Sequence, residues 1–489
     1  MEKREVFSSR WALILAALGM AIGTGNIWRF PRILALNGGA AFLIPWIIFL
    51  FLWSIPLLMA ELAIGKHTRL GPVGAFGKLI GKKYSWMGGF VGFCTMAIMF
   101  YYSVVMGWCV KYFVSSLFGN LGQTNALEYW NAFVARQYLP VVFHFIAIST
   151  GALIIYKGVV RGIEKANRIL IPSLVGLMIL ICIRALTLPG AMNGLNFFFN
   201  PDWKLLLDHE VWLNALSQSA WSTGAGWGLL LTFAIYTKKN EDIVLNSFIT
   251  GFGNNSASIL SGLVFFPAVF ALAPQLGVNP TEIITEAGPA NTGLTFIWIP
   301  ELFAKIPLGS VFMPFFFLAL SFAALSSLLA MIEMVTRIMM DMGMVRKKAI
   351  GIVWTFGFIL GIPSAVSMGF FGNQDWAWGV GLMVSGCFFA VAVIKYGVSN
   401  FRKNLINAPG NDIHVGKWYD YIVKYIIPIE FVILIVWWFW QSIEWYPKTW
   451  WNPFGQYTLG TCLFQWFVVI AAFLLLNNII ASRIKLKDD

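Results

Sequence analysis

The stretch "GMAIGTGNIWRFPR", residues 19–32, lies inside an apolar run that begins near Trp11 and ends near Leu36. Gly19, Gly23 and Gly25 fall close together, Asn26 follows, and Arg29 and Arg32 flank Pro31. A helix in lipid must satisfy every backbone N–H and C=O within itself. A run that abandons helix-forming residues halfway therefore needs other partners, supplied by protein or by a water-filled cavity.

The rest of the chain makes a bilayer the setting. Of 489 residues 58% are hydrophobic and 11% charged, with a mean hydropathy of +0.74, a composition foreign to soluble domains. Twelve apolar runs are each long enough to span a bilayer: 11–36, 41–65, 87–118, 139–157, 167–188, 211–236, 243–274, 308–340, 347–367, 376–398, 418–442 and 457–480. The expectation is an all-α integral membrane protein of twelve spans, with neither a cleavable signal peptide nor a separate soluble domain. The net charge of +12 would suit nucleic acid, but its location rejects that partner. Lys3, Arg4, Arg10, Lys82, Lys83, Arg161, Arg168, Lys238, Lys239, Arg346, Lys347 and Lys348 fall on one side, and only Arg136, Lys204, Lys305 and Lys448 in loops on the other. The positive-inside rule then places both termini in the cytoplasm. Cys94, Cys109, Cys182, Cys387 and Cys462 all lie in apolar runs and read as small buried hydrophobes. The histidines show no metal-ligand spacing.

A second interruption resembles the first. "SQSAWSTGAGWG", residues 217–228, breaks the sixth run with Ser222, Thr223, Gly224, Gly226 and Gly228. Gly19-xxx-Gly23 alone also reads as a helix-packing motif. Two breaks, in spans one and six, instead indicate two five-span halves related as an inverted repeat, with a binding site at the midplane. Half-helix N-termini offer N–H groups to an anion, and half-helix C-termini offer carbonyls to cations. The chemistry expected is binding and coupling rather than catalysis. No paired carboxylates, metal cluster or nucleophile–base motif stands at the midplane.

These residues resemble the neurotransmitter:sodium symporter family, its bacterial amino-acid transporter branch. "GMAIGTGNIWRFPRILALNGGAAFLIPW" (19–46) resembles the family's first-helix signature, "IPLLMAELAIGK" (55–66) the end of its second helix and "FYYSVVMGW" (100–108) its third. "STGAGWG" (222–228) resembles its broken sixth helix and "ALSSLLAMIE" (324–333) its eighth. The resemblance implies the leucine-transporter fold: a tail at 1–10, a first repeat at 11–188, a second at 211–398, two further spans within 418–480 and a tail at 481–489.

It also implies two sodium sites. The first would use the Ala21 carbonyl, Asn26, Ser222 and Asn254, completed by a substrate carboxylate. The second would use the Gly19, Ile22 and Ala323 carbonyls with Ser326 and Ser327, whose hydroxyls could equally back-bond to their own helix. Oxygen ligands of this kind suit hard cations. The substrate carboxylate would meet the Thr24 and Gly25 amides and the Tyr102 hydroxyl, and its amine the carbonyls of Ala21, Trp221 and Ser222. Ile98, Trp221, Gly224, Trp227, Leu328 and Met331, with Ser327, would surround the side chain. Amine-carrying members place an aspartate where Gly23 stands, so Gly23 favours an amino acid. Trp221 and Trp227 replace usual phenylalanines and leave the substrate size open.

Arg29 and Asp375 of "GNQDWAWG" match the family's outer gate, at the start of span ten. Arg4 and Asp341, with Tyr236 nearby, match its inner one, and Phe7 stands where tryptophan is usual. Chloride is a possible further ion, through Trp46, Gln218, Ser222, Asn254 and Ser258, with Trp46 in place of a tyrosine. Glu61 reads as structural, bonded to backbone of the broken helices. Arg32 receives no role. The function implied is sodium-coupled symport of a neutral, apolar amino acid by alternating access. The alternatives are symport of another carboxylated solute, such as an amino-acid derivative or betaine-like osmolyte, and a non-concentrating receptor on the same fold. A prokaryotic plasma membrane is expected, and the sequence leaves the oligomeric state undetermined.

Overall fold

The computed structural model describes residues 5–119, 121, 125–286, 293–409 and 411–484. Arg4, and with it that half of the expected inner gate, lies outside the described residues, as do residues 1–3 of the first tail and 485–489 of the last. Among the described residues there is helix but no strand. Ten helices are long and apolar enough to cross a membrane: Gly39–Thr68, Lys82–Leu117, Tyr138–Tyr156, Val159–Leu186, Ile243–Leu276, Gly309–Asp341, Arg346–Val366, Met368–Tyr396, Trp418–Trp445 and Leu459–Arg483. They correspond to ten of the twelve runs; spans one and six are missing because neither is a continuous helix.

Span one divides into Arg10–Ala21, Thr24–Ile27 and Arg29–Leu36. Ser9 caps its start by accepting from the Ala12 amide. Helix ends at Ala21 because Ile22 and Gly23 are extended. Asn26 then begins a new helix by turning its Oδ1 back to the Gly23 amide, 2.9 Å away, as N-terminal capping requires. Span six divides into His209–Ser222 and Leu229–Ala234. Between them Gly224, Gly226 and Gly228 have φ of +72°, +86° and +78°, a conformation costly to residues with a Cβ.

Span three (Lys82–Leu117) and span eight (Gly309–Asp341) pack along one another and are among the most buried helices. Span two (Gly39–Thr68) and span seven (Ile243–Leu276) pair with the broken helices instead. The last two spans are mostly exposed, as for surfaces meeting lipid. Span ten begins at Met368, capped by Ser367, not at 376. Gly372, Asn373, Gln374 and Asp375 lower the local hydropathy and hide the first two turns. Asp375 therefore sits inside the helix rather than at its start. We call the end of the bundle bearing Arg29 and Asp375 outer, and the end bearing Tyr236 and Asp341 inner.

Candidate functional site

The unwound backbone of span six is satisfied from three neighbours. Glu61 of span two accepts from the Gly226 amide at 2.6 Å and the Leu231 amide at 3.0 Å. Thr95 of span three donates to the Trp227 carbonyl at 2.8 Å, and Ser385 of span ten donates to the Gly226 carbonyl. Ser54 and Thr223 bridge the remaining turn. Glu61 is thus a backbone partner of the sixth helix alone.

Next to this loop, polar side chains from spans one, six and seven meet without solvent. Asn26 and Asn254 are almost fully buried. Asn26 Nδ2 lies 2.8 Å from Asn254 Oδ1, 3.1 Å from Ser222 Oγ and 2.9 Å from Ser258 Oγ. That same terminal atom of the Asn254 amide lies 3.1 Å from the Ala21 carbonyl oxygen and 2.9 Å from the Ser222 carbonyl oxygen. With oxygen there, an acceptor faces two acceptors; with nitrogen there, it faces the Asn26 NH2. Turning Asn26 as well would set its NH2 against the Gly23 amide. No arrangement of the two amides satisfies every contact. The Ala21 and Ser222 carbonyls, the Ser222 hydroxyl and the Asn254 amide oxygen are neutral oxygens of the kind a hard cation takes, while Asn26 turns its NH2 to this cluster and its oxygen to the Gly23 amide.

The second expected cation site lies where the inner half of span one crosses span eight. Ser327 Oγ donates to the Gly19 and Met20 carbonyls, each at 3.3 Å. Ser326 Oγ donates to Ala323 O at 3.0 Å, leaving the lone pairs of both hydroxyls available. These five positions are oxygen-only and uncharged, a set that fits a hard monovalent cation; the expected Ile22 carbonyl is not among their hydrogen-bond partners.

A cavity of about 660 Å³ runs from the breaks to the outer end. Its floor includes Gly23, Thr24, Gly25, Tyr102, Ser327 and Met331. The Thr24 amide and hydroxyl both point at Tyr102 Oη, 3.4 Å away. A Cβ on Gly23 would lie 3.1 Å from both Tyr102 Oη and Ser327 Oγ, so any side chain there would press on both hydroxyls. Trp221 and Trp227 meet edge-on at 5.7 Å and narrow the middle, while Gly224 opens the wall between them. Ile98 and Leu328 are a correction: both are fully buried and neither lines the cavity. Leu328 turns instead towards Gly151 of span four.

Above the tryptophans, Arg29 and Asp375 share the cavity wall without a direct ion pair. Arg29 lies over the Trp221 ring, 4.7 Å from its centre, and the indole edge fits a notch left by Gly379, where a Cβ would be 2.5 Å from Trp221 Cζ2. Arg32 lines the same cavity, its Nε buried without a partner. Of the expected chloride ligands, Gln218 and the Trp46 indole are buried and unpaired, while Ser258 accepts from Asn26.

The inner end is closed. Tyr236 Oη donates to Glu333 Oε1 at 2.6 Å, and Arg346 grips both Glu333 oxygens. Arg337 pairs with Asp341 at 2.7 Å, which also accepts from the Gly71 amide. Phe7 packs edge-on against Phe233 and Tyr236. Sequence reasoning missed Glu333 and Arg346 as a pair. Glu333 was visible as a carboxylate inside an apolar span, a functional candidate by default, but Arg346 reads on its own as a topology charge.

Comparison with known proteins gives the family and the fold. The family model described as "Sodium:neurotransmitter symporter family" matches residues 4–139 and 140–483. An uncharacterized sodium-dependent transporter of Methanocaldococcus jannaschii is 32% identical over 443 residues, covering 87% of this chain and 89% of the relative. One from Bacillus subtilis is 29% identical, covering 89% and 98%. The crystal structure of MhsT in complex with L-phenylalanine superposes with a TM-score of 0.78 at 32% identity, covering 89% of this chain and 99% of that one. Its relatives are transporters, not enzymes, and the chain belongs to the sodium:neurotransmitter symporter family, as a multi-pass, sodium-coupled membrane transporter.

Proposed function

We propose that the protein carries a neutral, apolar amino acid into the cell with sodium. The observation that carries this reading is the junction of the broken helices. A cluster of neutral oxygens sits beside the first-turn amides of Thr24 and Gly25 and the Tyr102 hydroxyl, so an α-carboxylate that takes the Thr24 amide from Tyr102 can complete the cation's shell. Gly23 excludes an acidic partner for an amine, and the tryptophan-lined wall disfavours a charged side chain. L-phenylalanine bound to MhsT is in keeping with an apolar substrate.

Residues 11–188 and 211–398 act as inverted halves, both termini are cytoplasmic, and the cavity faces outward. Closure brings Arg29 to Asp375 above Trp221; opening of the Tyr236, Glu333 and Arg346 cluster, with Asp341 and Arg4, releases the load inside. Two sodium ions crossing the full field would supply roughly 4.6 kcal/mol per 100 mV. Chloride binds at Gln218 and the Trp46 indole, whose unpaired N–H groups have no acceptor of their own. Uptake that is unchanged when gluconate replaces chloride removes that ion. The central test is sodium-dependent uptake of the twenty amino acids into proteoliposomes; sodium independence for every one of them overturns the reading.

A further inference from the structure

Span five carries a polar group that none of these roles uses. Asn167 is fully buried. Its Nδ2 donates to the Ile163 carbonyl one turn back at 3.0 Å, which fixes the amide and turns Oδ1 the other way. That oxygen has no donor, although leaving a buried acceptor unpaired is destabilising. It points at Gly19: a Cβ there would lie 2.3 Å from Asn167 Oδ1 and 3.2 Å from Ser326 Cβ. Gly19 is therefore the residue that lets an amide oxygen from span five reach the crossing of spans one and eight. Gly19, Ser326 and Ser327 at that crossing supply the expected second cation site. Ser326 cannot satisfy the oxygen, because its hydroxyl proton is committed to Ala323.

We propose that Asn167 belongs to the second sodium site, adding an amide oxygen from span five to the carbonyls and hydroxyls of spans one and eight. This rests on the reading of that crossing as a sodium site. It gives Asn167 a role that packing does not, since a packing residue would gain from an apolar side chain of the same size. It also makes ion occupancy depend on how span five leans against span one.

The test is sodium titration of the full-length protein in detergent, followed by thermal unfolding at constant ionic strength with choline as the balancing cation. Asn167→Leu is expected to raise the half-saturating sodium concentration at least tenfold. Asn167→Asp, nearly isosteric and carrying charge, is expected to lower it severalfold, and it serves where the leucine variant does not fold. Both midpoints equal to wild type, with only the sodium-free melting temperature changed, assign Asn167 to packing and overturn the proposal. A wild-type protein that sodium does not stabilise overturns the sodium reading itself, so the two failures are distinct.

Discussion

At the scale of single residues, Gly23 shows how much an absent carbon can decide. Its Cα faces Tyr102 Oη and Ser327 Oγ so closely that a methyl would sit 3.1 Å from each. Gly23→Ala should therefore push Tyr102 off the Thr24 amide and weaken substrate binding about tenfold, a loss of about 1.4 kcal/mol, seen as a raised KM for uptake with protein yield unchanged. Gly379 works the same way on the lid. Gly379→Ala places a methyl 2.5 Å from Trp221 Cζ2, an overpacking that costs about 1–3 kcal/mol. The indole is expected to leave its notch and lose Arg29. Trp221→Phe in that background should restore much of the uptake, because the smaller ring clears the methyl; a double variant no better than Gly379→Ala contradicts the notch. Gly23 was legible in the sequence because its neighbours carry a specific pattern. The notch was not, since Gly379 and Trp221 lie on different spans and nothing local links them.

At the scale of elements, the breaks explain themselves twice over. Glycines at positive φ allow span six to unwind, and Glu61, Thr95 and Ser385 meet the groups that unwinding exposes. Glu61→Gln keeps the shape but sets an NH2 against one of the two amides that Glu61 accepts from. The expected cost is about 1–3 kcal/mol, read as a lower melting temperature with sodium present and absent alike. An unchanged melting temperature means the loop is held by its other partners. The breaks themselves were readable, because glycine and polar residues inside an apolar run have few explanations in lipid. Their partners were only partly so. Glu61 stood out as a carboxylate in a span, whereas Thr95 and Ser385 look like any small residue on a buried face. The first two turns of span ten were hidden for the opposite reason: Gly372 and Asp375 line the cavity, Asn373 accepts from the Tyr457 amide and Gln374 from the Trp378 indole, and together they depress the hydropathy that marks a span. Leu328 follows Ser327 of the cavity wall by one residue, a step that turns a side chain by about 100° and carries it into the core; Ile98 lies one helical turn before Tyr102 and is buried all the same.

At the scale of the whole molecule, the two ends are held unequally. The inner end is fastened by Glu333 with Tyr236 and Arg346, by Arg337 with Asp341, and by the Phe7 plug. Arg346→Ala leaves Glu333 buried with only Tyr236, and breaking a buried pair in this way costs about 3–5 kcal/mol. The inner end should loosen. Hydrogen exchange across residues 229–237 is expected to accelerate tenfold or more, while exchange at 24–36 stays near wild type. Equal acceleration at both places would indicate general destabilisation instead. The Glu333–Arg346 latch joins span eight to the start of span nine; Glu333 stands out as a carboxylate in an apolar span, but nothing local ties it to Arg346.

The stacking of Arg29 on Trp221 has a further bearing on traffic through the protein. A cation resting on an aromatic face near Asp375 keeps a partner while the doorway is ajar, because the ring face attracts the guanidinium. The bolt can slide without being drawn into water. In the proposed transport cycle, an empty carrier built this way would idle with its mouth towards the sodium-rich side, ready to load, while the better-fastened inner end holds back the return path.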